Sequence, residues 1–244
     1  MSNKTTVVFL HGAGTGAWVW ERVINELPAP AIALDVPGRS LGATPERCAD
    51  ALVAELNQRG IGSVILVMHS LAGVLAPRLV ARLGTRVKRC VFVAAVIPPS
   101  GGSFVDAIGF VNRFILRILF KLNPKGLTPS PAMLRTELCN DLSPQDSELI
   151  ISRYTPEMPG LYLTPVGKFS PLPRATYIKL LQDQSVPPAR QGTMLTRLSQ
   201  PIVRELATGH MPMLAAPTAL ANLIMKENER AHLPPSQAGI GVKL

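Results

Sequence analysis

Residues 64–73 read Val64-Ile65-Leu66-Val67-Met68-His69-Ser70-Leu71-Ala72-Gly73. Five apolar residues in a row, without a polar break, read as a strand buried on both faces. Leu71, Leu75, Leu79 and Leu83 then recur at intervals of four, which is helical spacing. Ser70 therefore stands at a strand–turn–helix junction. Such a turn lifts the hydroxyl clear of the backbone, and the helix aims free N–H groups at a developing negative charge. The usual pattern at this turn is Gly-x-Ser-x-Gly. Here Met68 and Ala72 take the glycine places, and Gly73 lies one position further on. Ala72 is small enough to fit. Met68 is a departure, because a long side chain must find room where glycine lets strand and helix pack closely. Read alone, the stretch also fits a serine N-cap on an ordinary helix.

The flanking sequence repeats the strand–helix alternation. Apolar, β-rich runs occur at Thr6–Leu10, Ala31–Val36, Val64–Met68, Arg89–Val96, Thr176–Leu181 and Ile202–Leu206. Helical stretches lie at Trp18–Leu27, Pro45–Arg59, Leu71–Leu83, Pro188–Leu198 and Thr218–Glu229. This rhythm predicts an α/β fold, a doubly wound and mostly parallel sheet. Between about 98 and 173 the rhythm stops, and prolines and amphipathic pieces take over. That segment reads as a helical cap inserted after the fourth core strand, over the sheet edge where open α/β folds bind ligands. The expected division is a core of 1–97 and 174–230, a cap of 98–173, and a loosely held tail of 231–244.

The first strand ends in His11-Gly12-Ala13-Gly14-Thr15-Gly16. No Lys-Ser or Lys-Thr pair follows, and the spacing is not Gly-x-Gly-x-x-Gly, so neither a phosphate loop nor a dinucleotide loop is indicated. The loop instead suits an oxyanion site. The expected donors are the backbone N–H groups of Ala13 and Leu71, and His11 is read as pinning the loop. Of the four histidines, His11 and His69 sit in loops already assigned and His232 lies in the tail. His210, in Thr208-Gly209-His210-Met211 after the last strand, is the candidate base. Asp183, leaving the fifth strand, is the candidate orienting acid; the order Ser70, Asp183, His210 suits this architecture. Asp35 reads as a turn former before Pro37-Gly38, and Asp106, Asp141 and Asp146 fall in the cap.

Composition removes other classes. Nearly half of the 244 residues are apolar and 17% are charged, which excludes a disordered chain. Cys48, Cys90 and Cys139 form no metal, redox or disulfide pattern. The net charge of +9 is dispersed and is not interleaved with aromatics, so a nucleic-acid partner is not expected. No signal peptide and no run of membrane-spanning length is visible, which points to a cytoplasmic protein.

Taken together, these segments resemble the α/β-hydrolases of the branch that holds plant methylesterases, hydroxynitrile lyases and small bacterial relatives. The resemblance is carried by His11-Gly12-Ala13 with Gly16-Ala17-Trp18-Val19-Trp20, by Ser70-Leu71-Ala72-Gly73, by Val93 through Pro98, by Tyr177 through Asp183 to Pro188, and by Gly209-His210. It covers nearly the whole chain except the tail. It implies a serine esterase acting on small, mainly apolar carboxylic esters through an acyl-enzyme, with no metal and no cofactor. The lyases of the branch carry threonine, cysteine and lysine where this chain has Gly12, Leu71 and Met211, and Met211 offers no cation to departing cyanide. A relative that binds a small molecule without catalysis is the other reading, and Met68 is the feature that favours it.

Gly12, Phe104, Ile108, Phe110, Leu71 and Met211 are the expected pocket residues. Within the cap, Phe110–Lys125 reads as a helix with Arg113, Arg117, Lys121 and Lys125 four apart beside an apolar face. The expected arrangement packs that apolar face on the sheet. The alternative is an interfacial helix with a weak contact to anionic lipid over 110–125.

Overall fold

In the computed structural model, which describes residues 4–167 and 172–231 without the side chains of 110–112 and 227–231, the strand–helix rhythm builds one parallel sheet. Its strands are β1 (Thr6–Leu10), β2 (Ala31–Leu34), β3 (Val64–His69), β4 (Val87–Val93), β5 (Ala175–Leu180) and β6 (Ile202–Leu206), in the order β2-β1-β3-β4-β5-β6. Helices α1 (Glu21–Asn25), α2 (Pro45–Gln58) and α3 (Ala76–Leu83) connect the first four strands. Helices α4 (Phe104–Ala107), α5 (Phe110–Leu122), α6 (Pro131–Glu137), α7 (Pro144–Arg153) and α8 (Gly160–Leu163) lie between β4 and β5 as the cap. Helices α9 (Pro188–Leu195), α10 (Pro212–Ala215) and α11 (Pro217–Ala231) complete the chain's described part. The tail expected from 231 lies outside the described residues, apart from the last residue of α11.

Strand residues alternate between two cores, as the period of two requires. Val8, Leu10, Leu66, Met68 and Phe92 pack with Leu52, Leu56 and Leu79 from α2 and α3. Val7, Phe9, Ile65, Val67 and Val91 pack on the other face with Val23, Leu220 and Ile224 from α1 and α11. Both faces are covered, which is why the strands read as unbroken apolar runs.

Several element ends differ from expectation, α5 stopping at Leu122 and α9 at Leu195 among them, and at three of these ends the local reason is plain. β2 stops at Leu34, because the Val36 N–H donates to His11 Nε2 at 2.9 Å instead of to a strand. β4 stops at Val93, because Ala94 takes φ +42°, which breaks the extended backbone. The helix expected from Leu71 is divided. Ser70–Leu75 form a 3₁₀ turn, and α3 begins only at Ala76 with Pro77 in its first turn. Proline has no N–H to give an i→i−4 bond, so it is tolerated there and not later.

The largest difference concerns α5. Most of its described apolar side chains do not pack on the sheet. Phe120 turns inward, 4% exposed, and its ring lies 4.8 Å from that of Tyr162. Phe114, Ile115, Ile118, Leu119 and Leu122 turn outward and are exposed.

Candidate active site

The elbow after β3 is built by one unusual backbone angle. Ser70 has φ +49°, a region that costs a residue with a Cβ about 1–2 kcal/mol. The turn is held by a bond from the Val96 N–H to the Ser70 carbonyl, 2.8 Å. It is also held by close contact at Gly73, where a Cβ would stand 2.4 Å from the Val96 carbonyl oxygen. The place that demands glycine is therefore position 73. Met68 is fully buried and belongs to the α2/α3 core together with Leu71 and Leu75, so its side chain fills core space.

At this edge of the sheet Ser70, His210 and Asp183 come together in one hydrogen-bonded row. Ser70 Oγ donates to His210 Nε2 at 3.0 Å. His210 Nδ1–H donates to Asp183 Oδ2 at 2.8 Å. The other carboxylate oxygen, Oδ1, accepts from the N–H groups of Ser185 (2.9 Å) and Val186 (2.8 Å). Asp183 is 1% exposed, so these three donors take the place of water around its charge. The row leaves His210 with one nitrogen protonated toward the acid and the other free to accept from serine.

Two further histidines shape the site. His11 Nδ1–H donates to the Gly12 carbonyl at 2.8 Å, and Nε2 accepts from Val36. Both nitrogens are used in the neutral form, and burial lowers its pKa to about 4. His11 thus ties the loop after β1 to the end of β2. Asp35, expected to make only its own turn, reaches across and accepts the Ala17 N–H at 2.7 Å. His69 Nε2–H donates to the carbonyl of His210 at 2.9 Å. Burial, with the neighbouring His210 adding to it, holds His69 well below the usual histidine range, so it stays neutral. Its adjacency to Ser70 at the strand end was the signal for this role.

Three side chains of the cap, among other contacts, grip the same loops. Asp141 Oδ2 accepts the N–H of Gly209, next to His210. Asn140 donates to the carbonyl of Gln182, next to Asp183, at 2.9 Å. Glu157 accepts the N–H of Gly14, next to Ala13, at 2.9 Å and pairs with Arg39 at 3.2 Å. Glu157 is 1% exposed, and burial outweighs these bonds and pushes its pKa up to about 7. None of these contacts is visible in sequence, since each partner lies tens to more than a hundred residues away.

A small cavity of about 130 Å³ lies above the serine. Ala13, Ser70, Leu71 and His210 form its floor, and Phe104, Ile108, Leu134 and Leu138 come from the cap. Val186, Met194 and Arg190 close the far side. Of the expected pocket residues, Leu71, Phe104 and Ile108 line this cavity. Gly12 does not: it backs the elbow, where a Cβ would lie 2.8 Å from His69 Nδ1 and 2.9 Å from Ser70 Cβ. Met211 does not either: it is buried in the α1/α11 core. The Phe110 side chain lies outside the described residues. Among the described residues no group of three His, Cys, Asp or Glu side chains is placed to hold a metal.

The chain belongs to the α/β-hydrolase family, which its residues 7–223 match. It is 27% identical to a probable esterase of Oryza sativa subsp. indica, PIR7A, over 90% of this chain and 95% of that protein. It is 24% identical to a pheophorbidase of Raphanus sativus, over 90% and 92% of the two chains. Among solved structures it superposes on an extracellular α/β-hydrolase from a Paenibacillus species with a TM-score of 0.79, 22% identity, and 91% and 98% of the two chains covered. That protein is described as sharing structural and functional homology with tobacco salicylic acid binding protein 2.

Proposed function

We propose that this carboxylic ester hydrolase works by acyl transfer, with Ser70 as nucleophile, His210 as general base and Asp183 as the acid that orients it. The observation that carries this is the 3.0 Å contact of Ser70 Oγ with His210 Nε2, made at a serine whose backbone is strained to face the cavity. Ser70 Oγ attacks the ester carbonyl as His210 takes its proton. The N–H groups of Ala13 and Leu71 receive the developing oxyanion. Asp183 stabilises the imidazolium without being protonated itself. His210 then returns the proton to the departing alcohol. Water, activated by the same histidine, releases the acid. No step calls for a metal or cofactor.

The apolar wall of Leu71, Phe104, Ile108, Leu134, Leu138, Val186 and Met194 supports small, mainly apolar esters as substrates. The relatives named esterase and pheophorbidase support the same class. The three cysteines are free and buried, which suits a reducing, cytoplasmic setting. Two measurements test the reading. A p-nitrophenyl ester series, run with chelator, is expected to show turnover that favours short acyl chains. A fluorophosphonate probe is expected to label Ser70 and no other serine. An unlabelled, inactive but folded chain would leave the small-molecule-binding reading as the better one.

A further inference from the structure

Among the described residues nine large apolar side chains are exposed, and five of them stand on α5. They are Phe114, Ile115, Ile118, Leu119 and Leu122, with Phe114 63% and Leu122 71% exposed. Their spacing of one, three and four residues puts them on one side of the helix. On the opposite side Phe120 packs its ring against Tyr162, and Leu116 is half-buried. An amphipathic helix with its apolar side outward is the reverse of a packed lid.

Cations border that apolar side along one flank. Arg113, Arg117 and Lys121 follow at intervals of four, while Lys125 lies three residues past the end of α5, which stops at Leu122 and not at Lys125 as its spacing suggested. The nearby carboxylate is Asp106, 3.0 Å from Arg113 and 3.8 Å from Arg117. Among the described residues Lys121 and Lys125 have no ion-pair partner, and α5 carries no acidic residue. We propose that the outer face of α5 docks on an anionic lipid surface, its apolar side chains entering the headgroup boundary and its cations meeting lipid phosphates. A second copy of the chain fits less well, because it would bring an equal stripe of cations against the first. An apolar side flanked by lysine and arginine meets both parts of an anionic interface, since the long basic stems lie along the apolar zone while their charges stay in water.

The placement gives the contact a use. α5 follows α4 and Ile108 directly, and Phe104 and Ile108 line the cavity above Ser70. Docking would hold the cavity mouth close to the bilayer, where apolar esters concentrate. That consequence rests on the esterase reading; the docking itself does not.

The full chain is sedimented with vesicles of phosphatidylcholine alone and with vesicles containing about one-third phosphatidylglycerol. Binding to the anionic vesicles is expected to be at least about tenfold tighter, and to fall as salt is raised to roughly 1 M. Lys121→Gln with Lys125→Gln is expected to weaken it by about fivefold per cation. Phe114→Ser with Leu122→Ser is expected to abolish it, with thermal unfolding used to verify that both variants are folded. Background sedimentation with both vesicle types overturns the proposal. Leu122→Cys carrying a polarity-sensitive dye locates the contact, since the three native cysteines are buried. The emission is expected to shift to the blue only with anionic vesicles. A dye already shielded in the free protein overturns it too: sedimentation velocity then assigns the cover to a second copy if the protein is dimeric, or to the chain itself if it is monomeric. Vesicle binding is read whether or not an ester is turned over, so a lipid-binding but inactive chain fails only the esterase reading.

Discussion

His210 Nε2 accepts a hydrogen bond from Ser70 Oγ at 3.0 Å, although the two residues are 140 positions apart in the chain. The contact predicts how substitutions at the site behave. Ser70→Ala and His210→Ala are each expected to lower kcat by about 10⁴–10⁶-fold, and Asp183→Asn by about 10⁴-fold. The losses are not expected to add, because each member is useless without the others. Steady-state kinetics on a p-nitrophenyl ester measures all three. Near-normal activity in Asp183→Asn would falsify the role given to that carboxylate.

Asp141 acts through the loop that carries His210. Its carboxylate accepts the Gly209 N–H, so Asp141→Ala frees the segment next to the base. A misplacement of about 1 Å is enough to cost up to about 10²-fold in rate. The expected result is a lower kcat with KM little changed, and recovery in Asp141→Asn, whose amide oxygen accepts the same bond. Equal losses in both variants would point to the charge and not to the hydrogen bond.

Gly73 and Met68 divide the work of a close-packed elbow. Gly73→Ala puts a methyl 2.4 Å from the Val96 carbonyl oxygen, and backbone cannot move aside cheaply. Loss of both activity and about 1–3 kcal/mol of stability is expected. Met68→Ala leaves a hole in a fully buried position and is expected to cost about 2–5 kcal/mol while kcat per folded molecule is held. Denaturant unfolding beside active-site titration separates the two outcomes. A large fall in kcat for folded Met68→Ala would show that the methionine helps set the serine.

Glu157 makes stability depend on pH. Burial raises its pKa from 4.5 to about 7, so the folded state holds a proton that the unfolded state has lost. For a raised pKa the contribution is fully present below the unfolded value, near pH 4.5, and is lost as pH rises through about 7. Replacing Glu157 with Gln is expected to remove this slope. The stability of the variant relative to wild type should rise by about 1–3 kcal/mol between the two ends of that window. Chemical unfolding at a series of pH values checks it; parallel curves would mean that Glu157 ionises as it does in the unfolded chain.

The sheet was legible because its information is local. Six apolar runs and the helices between them follow from side-chain period alone, and each observed strand lies within a few residues of the run that predicts it. At three of the ends that moved, a single local feature accounts for it: His11 at Val36, the backbone of Ala94, the missing N–H of Pro77. The junction at Ser70 and the chain order of Ser70, Asp183 and His210 were readable for the same reason, since each is a residue at the end of a recognisable strand.

What sequence by itself determined, then, is the set of elements and the residues at their ends, because backbone preference and burial period act over a few positions. Tertiary structure alone decided which way side chains face once elements pack. It turned Met211 into the core and set Gly12 against His69 and the Ser70 side chain. It brought Asn140, Asp141 and Glu157 from the cap to the loops that carry Asp183, His210 and Ala13. It also turned the apolar side of α5 away from the sheet. A helical period states that a helix has an apolar side, but which side finds a partner depends on the space left by every other element.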